Sequence, residues 1–474
     1  MRITNGIMIN NSLNNINRNK TLMDKLNTQL ATTKKIQRPS EDPIVAIRAL
    51  RLRSTYNEIE QYLEKNIPDA RSWMETTQEA IESINSVLTE VSYYCNQGVN
   101  GYNTVEERNT LVTTLKQLRD QIYSDGDADL VDRTIFTGYK TDSTLTFMED
   151  EPNTHYNITE EFVVEDIKNT NRILGLDIGT VRDVESSTIL NNQQHVAYLG
   201  YKDIDTVDSV TIDGVNYPVT RRSTADNAVY LGVPVGAVVY VEETGELLLG
   251  ENAYNAVAAG GKMTVNYQKT GFVNGDLRPE HYFTCENTTK GVKYVAEDQP
   301  INYTINFNQQ ITINTQARNV LPHAIGRDLD ELINSVTEAV DVQTKIATIN
   351  KQLETEEDEA KITSLNYMME ALKLELAYAE DNMKQTFSAA IGDYKAHQEK
   401  LSIEVSDIGA RLIRLSLNED RLTTQQLNVE DLKSKNEEIE EENVAVEWAA
   451  AQSVYDASLA TSAKVVQKSL LDYL

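Results

Sequence analysis

The sequence predicts an α+β fold in which both ends of the chain form a long antiparallel helical bundle and a β-rich domain is inserted between them. Over residues 8–124, and again from about 324 to the end, apolar residues recur at three- and four-residue steps, the period of amphipathic helices. Between about 145 and 318 this period gives way to apolar–polar alternation and turn signals, which indicates strands. Helices at opposite ends of one chain can satisfy each other's apolar faces by pairing, which predicts the bundle.

The first predicted helix covers residues 8–30. Lys20 and Asn27 are expected to interrupt its apolar stripe, and a short helix with such a stripe is marginal in water unless it has partners. The apolar positions of the stripe are Ile9, Leu13, Ile16, Met23 and Leu30, with Leu22 and Leu26 on its flank.

A break follows at KKIQRPSEDP, residues 34–43. Pro39 disfavours helical backbone at the residue before it, so the first helix must stop there. Asp42 and Pro43 together favour a restart, because an aspartate N-cap accepts free N–H groups and proline at the first helical position loses no hydrogen bond. The second helix then runs to about Asn96, with Pro68 as a candidate kink.

Five further patterns complete the predicted elements. Thr104 and Glu107 form a capping box that begins a helix reaching about Ser124. Asp213-Gly214 between β-rich runs predicts a hairpin. Residues 345–384 are typical of a charged helical hairpin, and the run of glutamates at 437–442 is expected to be a solvated helix face. The last helix is predicted from its apolar stripe, which consists of Val444, Trp448, Ala451, Tyr455, Leu459, Val466, Leu470 and Tyr473.

These patterns predict five segments along the chain. They are an N-terminal axial helix (1–38), the N-terminal half of a helical shaft (39–145), the inserted β-rich domain (146–320), the C-terminal half of the shaft with an extra helical hairpin (321–436), and a C-terminal axial helix (437–474).

Composition argues against several classes of function. The 474 residues include 44 Lys and Arg against 73 Asp and Glu, a formal charge of -29, which disfavours nucleic-acid binding. Cys95 and Cys285 are the only cysteines, so neither a disulfide framework nor a cysteine zinc site is expected. The five histidines are scattered, and no metalloprotease, P-loop or serine-hydrolase motif occurs. Asp125, Asp127 and Asp129 have the spacing of a calcium loop but lack its glycine and final glutamate, so a solvated acidic turn is favoured. We therefore predict no catalytic, cofactor or metal site.

No targeting or membrane signal is recognisable. The first fifteen residues contain no apolar core of a signal peptide, and no run of 18 apolar residues occurs, so membrane insertion is not expected. Alone, these features predict a soluble cytoplasmic protein. That expectation fails if the chain leaves the cell by a route that reads no such signal.

Five sequence stretches, in order, resemble the flagellin-like axial proteins of the bacterial flagellum, and within them the hook-associated protein 3 family. They are MRIT at the start, KKIQRPSEDP, TIFTGYKTDSTLTF (134–147), DIGARLIRL (407–415) and VYDASLATSAKVVQKSLLDYL (454–474). Flagellin is the alternative family, but it usually has Asn-Ser-Ala-x-Asp-Asp at the break and lacks the ending Leu-Asp-Tyr-Leu.

The resemblance implies a structural subunit at the junction between hook and filament, not an enzyme. The implied partners are copies of the chain itself in a ring or helical array, hook-associated protein 1, flagellin and a flagellar export chaperone. It also implies an extracellular location reached through the flagellar type III system. An enzyme or a carbohydrate-binding adhesin would instead need a convergent polar group in the β-rich insert, and none is recognisable. The residues expected at the assembly interface are Ile9, Leu13, Ile16, Met23, Leu30, Trp448, Tyr455, Leu459, Val466 and Leu470, with Pro39, Asp42 and Pro43 at the turn between helices.

Overall fold

The structure is a computed structural model that describes residues 5–100, 104–224 and 229–466. Long helices occupy both ends of the chain, as predicted. The helices, which include the short α5 and α6 between α4 and α7, have the bounds α1 Asn5–Thr32, α2 Pro43–Gln61, α3 Ile67–Asn100, α4 Val105–Gly126, α5 Glu251–Ala258, α6 Ala317–Val320, α7 His323–Thr355, α8 Glu359–Glu437 and α9 Glu441–Val466. None of the helices in these ranges has a stretch apolar and long enough to cross a membrane.

The strands lie between α4 and α7, which confirms the α+β class with a sheet-rich insert. Their bounds are β1 Glu151–Phe162, β2 Ile167–Leu174, β3 Leu190–Tyr198, β4 Thr206–Ile212, β5 Val215–Tyr217, β6 Val219–Arg222, β7 Val238–Val241, β8 Glu246–Leu249, β9 Met263–Phe272, β10 Thr284–Asn287, β11 Val292–Tyr294, β12 Asn302–Asn306 and β13 Gln309–Thr312.

The chain divides into two compact units. The terminal unit comprises Met1–Asp69, Thr304–Gln310 and Ile413–Leu474. The larger unit comprises Ala70–Tyr303 and Ile311–Leu412.

In the terminal unit, α1 packs against α9. The C-terminal end of α1 meets the chain just before α9, because the N–H of Ile439 donates to the carbonyl of Thr33 at 3.0 Å. Further along, Asn19 of α1 contacts Ser458 of α9. The two helices therefore run antiparallel, and the predicted pairing of the chain ends is confirmed.

The predicted irregularity near Pro68 is a π turn at Tyr62–Asn66, just before the proline. The N–H of Ile67 donates to the carbonyl of Tyr62, five residues back. Proline has no N–H with which to continue the α-helical ladder, and a wider turn is one way to accommodate the lost bond. A hairpin tip packs here, with the Phe307 ring edge-on to Tyr62 at 5.6 Å and the carbonyl of Thr304 accepting from Asn66 at 2.7 Å.

In the larger unit, two sheets carry the insert. One has the strand order β11-β10-β1-β9-β4-β5 and the other β2-β3-β8-β7-β6, and the pairing is antiparallel except between β6 and β7. A cluster of buried side chains from both sheets, including Tyr156, Val210, Tyr240 and Tyr267, forms the main core. The predicted hairpin at Asp213-Gly214 joins β4 to β5, and both residues have positive φ, as a two-residue turn of type I′ requires.

The long helices of this unit also confirm sequence predictions. Thr104 and Glu107 form the capping box at the start of α4. The helical hairpin expected over 345–384 exists, with α7 ending at Thr355 and α8 beginning at Glu359. Its apolar core includes Leu176 and Ile189, from the segment between β2 and β3, so the hairpin braces part of the insert.

A tight turn at Leu130–Arg133 holds a strained residue. Val131 and Asp132 have φ of 54° and 58°, and the backbones of Leu130 and Arg133 exchange hydrogen bonds. A β-branched residue in the left-handed region clashes with its own backbone, and the Val131 side chain is 84% exposed, so no burial offsets the cost.

Candidate assembly surface on the terminal helices

The contact between α1 and α9 is a heptad seam in which alternate steps are three and four residues. This spacing keeps one stripe of each helix facing the other along their length. The seam positions, all buried or half-buried, are Ile9, Ser12, Ile16, Asn19, Met23, Leu26 and Leu30 of α1, and Val444, Trp448, Ala451, Tyr455, Ser458 and Ser462 of α9.

The observed seam corrects the phase predicted from sequence. Leu13 is 52% exposed and Leu26 only 4%, so Leu26 is a core residue rather than a flanking one. Lys20 and Asn27 are exposed and do not interrupt the seam. Its polar positions on α1 are Ser12 and Asn19, and the amide of Asn19 donates to the hydroxyl of Ser458 at 3.0 Å. The prediction from sequence was based on large apolar residues, so it missed small polar residues that lie at the spacing of the seam.

The residues predicted for the assembly interface fall into three groups. Leu13 and Leu459 are exposed, and Val466 and Leu470 have side chains outside the described part of the chain. Six others lie in the seam within one chain: Ile9, Ile16, Met23, Leu30, Trp448 and Tyr455. Their role between copies of the chain stays a prediction.

The break at 34–43 forms one half of a contact that we call the clasp, made by residues 33–42 with 437–440. The N–H of Lys35 donates to the carbonyl of Glu437 at 2.8 Å, and Lys34 pairs with Glu438 as an isolated antiparallel bridge. Thr33 takes a φ of 58°, in the left-handed region where many helices end. The clasp thus joins the end of α1 to the loop between α8 and α9.

The restart of the helix after the clasp is as predicted. Asp42 is the N-cap of α2, and one of its carboxylate oxygens accepts the N–H groups of Ile44 and Val45 at 3.0 and 3.1 Å. Pro43 occupies the first helical position. Pro39 lies in the turn between α1 and α2. The two prolines therefore bracket the exit from the clasp into α2.

A charged pair fixes the clasp to α2. The Arg53 guanidinium binds the Glu437 carboxylate in a fork, with Nε 2.8 Å from Oε1 and Nη2 2.5 Å from Oε2. Lys34 Nζ lies 3.8 Å from the same carboxylate and 3.0 Å from that of Glu438. The bonds from Arg53, with the nearby lysines, hold the pKa of Glu437 below its ordinary value.

This pair corrects the interpretation of residues 437–442 as a solvated helix face at Glu437, whereas Glu440, Glu441 and Glu442 are exposed as predicted. The glutamates there straddle the end of α8 and the start of α9, and Glu437 is 5% exposed. A carboxylate so buried needs partners, which Arg53 and Lys34 supply. The sequence contains basic residues near one end of the chain and glutamates near the other. Local charge patterns alone do not show that these distant residues pair.

The remaining faces of the terminal helices display large apolar side chains. On α2, Ile44, Ile47 and Leu50 are more than half exposed. On α9, Val446 and Val454 are likewise more than half exposed. Contiguous exposed apolar surface on a helix is typical of a site that binds another protein.

In the larger unit, polar groups connect the insert to the helices. Lys168 of β2 lies 2.6 Å from Asp328 of α7 and 2.8 Å from Asp393 of α8, with Glu331 at 3.7 Å. The ring of His397 contacts the other oxygen of Asp328 at 3.2 Å. A single lysine of the insert therefore forms ion pairs with several carboxylates of α7 and α8.

A second connection is a buried carboxylate. Glu160 of β1 accepts from the N–H of Gly200 at 2.9 Å and from the hydroxyl of Tyr267 at 3.2 Å, and lies 3.4 Å from Arg327 of α7. Burial raises the pKa of the Glu160 carboxyl to about 7, although Arg327 acts in the opposite direction. Among the described residues, no three His, Cys, Asp or Glu side chains form a group suited to a metal ion.

Comparison with known proteins gives matches at the level of sequence and of structure. A model of the bacterial flagellin N-terminal helical region matches residues 3–141. Flagellar hook-associated protein 3 of Salmonella typhimurium is 29% identical over 148 residues, which are 30% of this chain and 45% of that protein. The match thus spans less than half of this curated relative.

Two solved structures are also similar. FlgL from Xanthomonas campestris has 9% identity and a TM-score of 0.31, covering 80% of this chain and 98% of its own. Flagellar hook associated protein-3 from Legionella pneumophila has 12% identity and a TM-score of 0.30, covering 81% and 97%. The chain therefore contains a region that matches the bacterial flagellin N-terminal helical region, and part of its length is similar to flagellar hook-associated protein 3 of Salmonella.

Proposed function

We propose that this chain is a structural subunit of the bacterial flagellum that forms the junction between hook and filament. It assembles with copies of itself into a ring or helical array, contacting hook-associated protein 1 on the hook side and flagellin on the filament side. An export chaperone and the flagellar type III system deliver it to the cell exterior. The same proposal includes the five segments predicted from the sequence, from the N-terminal axial helix (1–38) to the C-terminal axial helix (437–474).

The observation that carries the proposal is the state of the terminal unit. The α1–α9 seam is mostly half-buried, and apolar side chains on the outer faces of α2 and α9 are more than half exposed. Two helices paired along a partly polar seam gain little stability alone, since most helical stability comes from tertiary packing. Neighbouring subunits would cover the exposed faces and, by binding only the folded form, would stabilise it.

Flagellin is the alternative, since it shares the N-terminal region that the family model describes. The Pro-Ser-Glu-Asp-Pro break and the Leu-Asp-Tyr-Leu ending favour the junction protein. The two assignments differ in where the subunit resides. A flagellin would extend along the filament, whereas a junction subunit would occur at its base.

A binding experiment with purified full-length chain tests the proposal. Immobilised chain should retain both purified hook-associated protein 1 and purified flagellin, and labelling with antibody should mark only the base of filaments. Ile47→Asp, on the exposed face of α2, should weaken retention. Val295→Asp provides a matched control, since Val295 is similarly exposed (58% against 53%) but lies in the larger unit. Retention of neither protein would contradict the junction assignment, and labelling along the whole filament would favour flagellin.

A further inference from the structure

The outer face of α2 combines apolar and basic side chains. Ile44, Ile47, Arg48 and Arg51 are spaced at i, i+3, i+4 and i+7, which places them on one side of the helix, and Leu50 borders them. All five are exposed, and in the described part of the chain neither arginine forms an ion pair. Arginine beside exposed apolar residues is a composition enriched at protein interfaces.

This face is basic in a chain that is strongly acidic. Residues 1–53 carry ten Lys and Arg against three Asp and Glu, whereas the whole chain has a formal charge of -29. A basic-apolar face attracts a partner surface that is both acidic and apolar. The chain itself supplies such a surface.

That surface is the side of α9 turned away from the seam. Glu442, Val446, Ala450 and Val454 follow one another at four-residue steps, with Glu447 at their edge, and all are exposed. Residues 430–447 contain eight Asp and Glu against two Lys. Some of these carboxylates are already committed, as Glu437 is to Arg53. No ion pair of Glu442 or Glu447 exists within the ranges that the structure describes.

We infer that the basic-apolar face of α2 on one copy docks onto the acidic-apolar face of α9 on the next copy. The inference rests on the proposed function and specifies which surfaces meet in it. Two different faces of one subunit make a heterologous contact, which propagates from copy to copy into a ring or a helical array. The apolar side chains supply affinity on burial, while the arginines and glutamates set the orientation and exclude a face of the same sign.

Charge reversal tests the pairing in the full chain, expressed in a strain of the source bacterium that lacks its own copy of the gene. The double variant R48E/R51E should reduce the number of filaments per cell about tenfold or more, because like charges then face each other. The variant E442K/E447K should do the same. The variant carrying all four reversals should recover filaments, since opposite charges again meet.

The matched control is K116E/R182E, at two exposed positions of the larger unit. It changes the net charge by the same amount as R48E/R51E and should leave the number of filaments unchanged. Immunoblots of the culture medium check that every variant is exported. A normal number of filaments with either double reversal alone would overturn the inference. Loss of filaments that the variant with all four reversals does not rescue would also overturn it, and would assign the α2 face to a different protein. Failure of the unmodified chain to restore filaments would instead refute the proposed function.

Discussion

Replacing Arg53 with alanine should loosen the terminal unit without unfolding the larger one. Glu437 is 5% exposed, and Arg53 supplies both of its short charged hydrogen bonds, at 2.8 and 2.5 Å. Hydrogen bonds to charged groups contribute about 1.5–3 kcal/mol. Lys34, 3.8 Å away, remains as a weaker partner, and the Arg53 side chain is itself 55% exposed and therefore screened by solvent. We expect the opening free energy of the clasp to fall by about 1–2 kcal/mol.

The effect should depend on pH in a definite direction. Because the folded-state pKa of Glu437 is lowered, the ionised pair contributes stability above the pKa that the carboxyl has in the unfolded chain, about 4.5. This contribution is lost as the pH falls through the lower folded-state value. Wild type and variant should therefore differ most near neutral pH and converge in acid.

Native-state hydrogen exchange of amides in α1 and α9 measures the opening directly. Faster exchange confined to these helices is the expected result, with the amides of the main β core unchanged. Arg51→Ala is the control, because Arg51 is a neighbouring exposed arginine without the contact to Glu437. Equal protection in wild type and Arg53→Ala at pH 7 would refute the reasoning, and so would an equal effect of the control.

Three further predictions concern the larger unit and can be checked by urea unfolding. Val131→Gly should raise the unfolding free energy by about 1 kcal/mol, because glycine adopts the left-handed backbone without strain; an unchanged or lower midpoint would argue against it. Lys168→Met should destabilise by about 3 kcal/mol by leaving Asp328 buried without its cation, and Asp328→Asn should recover part of the loss when combined with it. For Glu160, the folded-state pKa is raised, so its stabilising effect is present at low pH and is lost as the pH rises through about 7. The unfolding free energy of wild type minus that of Glu160→Gln should therefore be about 1 kcal/mol larger at pH 6 than at pH 8. Parallel pH profiles of the two proteins would contradict this.

Local sequence signals predicted the helix boundaries well. Asp42 with Pro43, and Thr104 with Glu107, each fix a helix start through hydrogen bonds within a few residues, so nothing distant needs to be known. The hairpin at Asp213-Gly214 is local in the same way, since its backbone angles suit those residue types.

Features that depend on distant contacts were predicted less well. The seam phase of α1 requires knowing which face meets α9, and Ser12 and Asn19 do not look like interface residues until their partners are known. The buried Glu437 has the same cause, because Arg53 is far away in sequence. At Pro68 the sequence indicates a disruption, but whether the helix kinks or widens into a π turn depends on tertiary context.

The hydrogen bond between Asn19 and Ser458 limits how the terminal helices can slide. A seam made only of apolar side chains can shift by one heptad at little cost, since each residue finds an equivalent neighbour. A polar pair within it favours one register, because a slide separates Asn19 from Ser458 and breaks their hydrogen bond. Because sliding costs stability, α1 and α9 keep a fixed position along each other. A pull on one end of the chain is then transmitted to the other end, since the two helices do not slip.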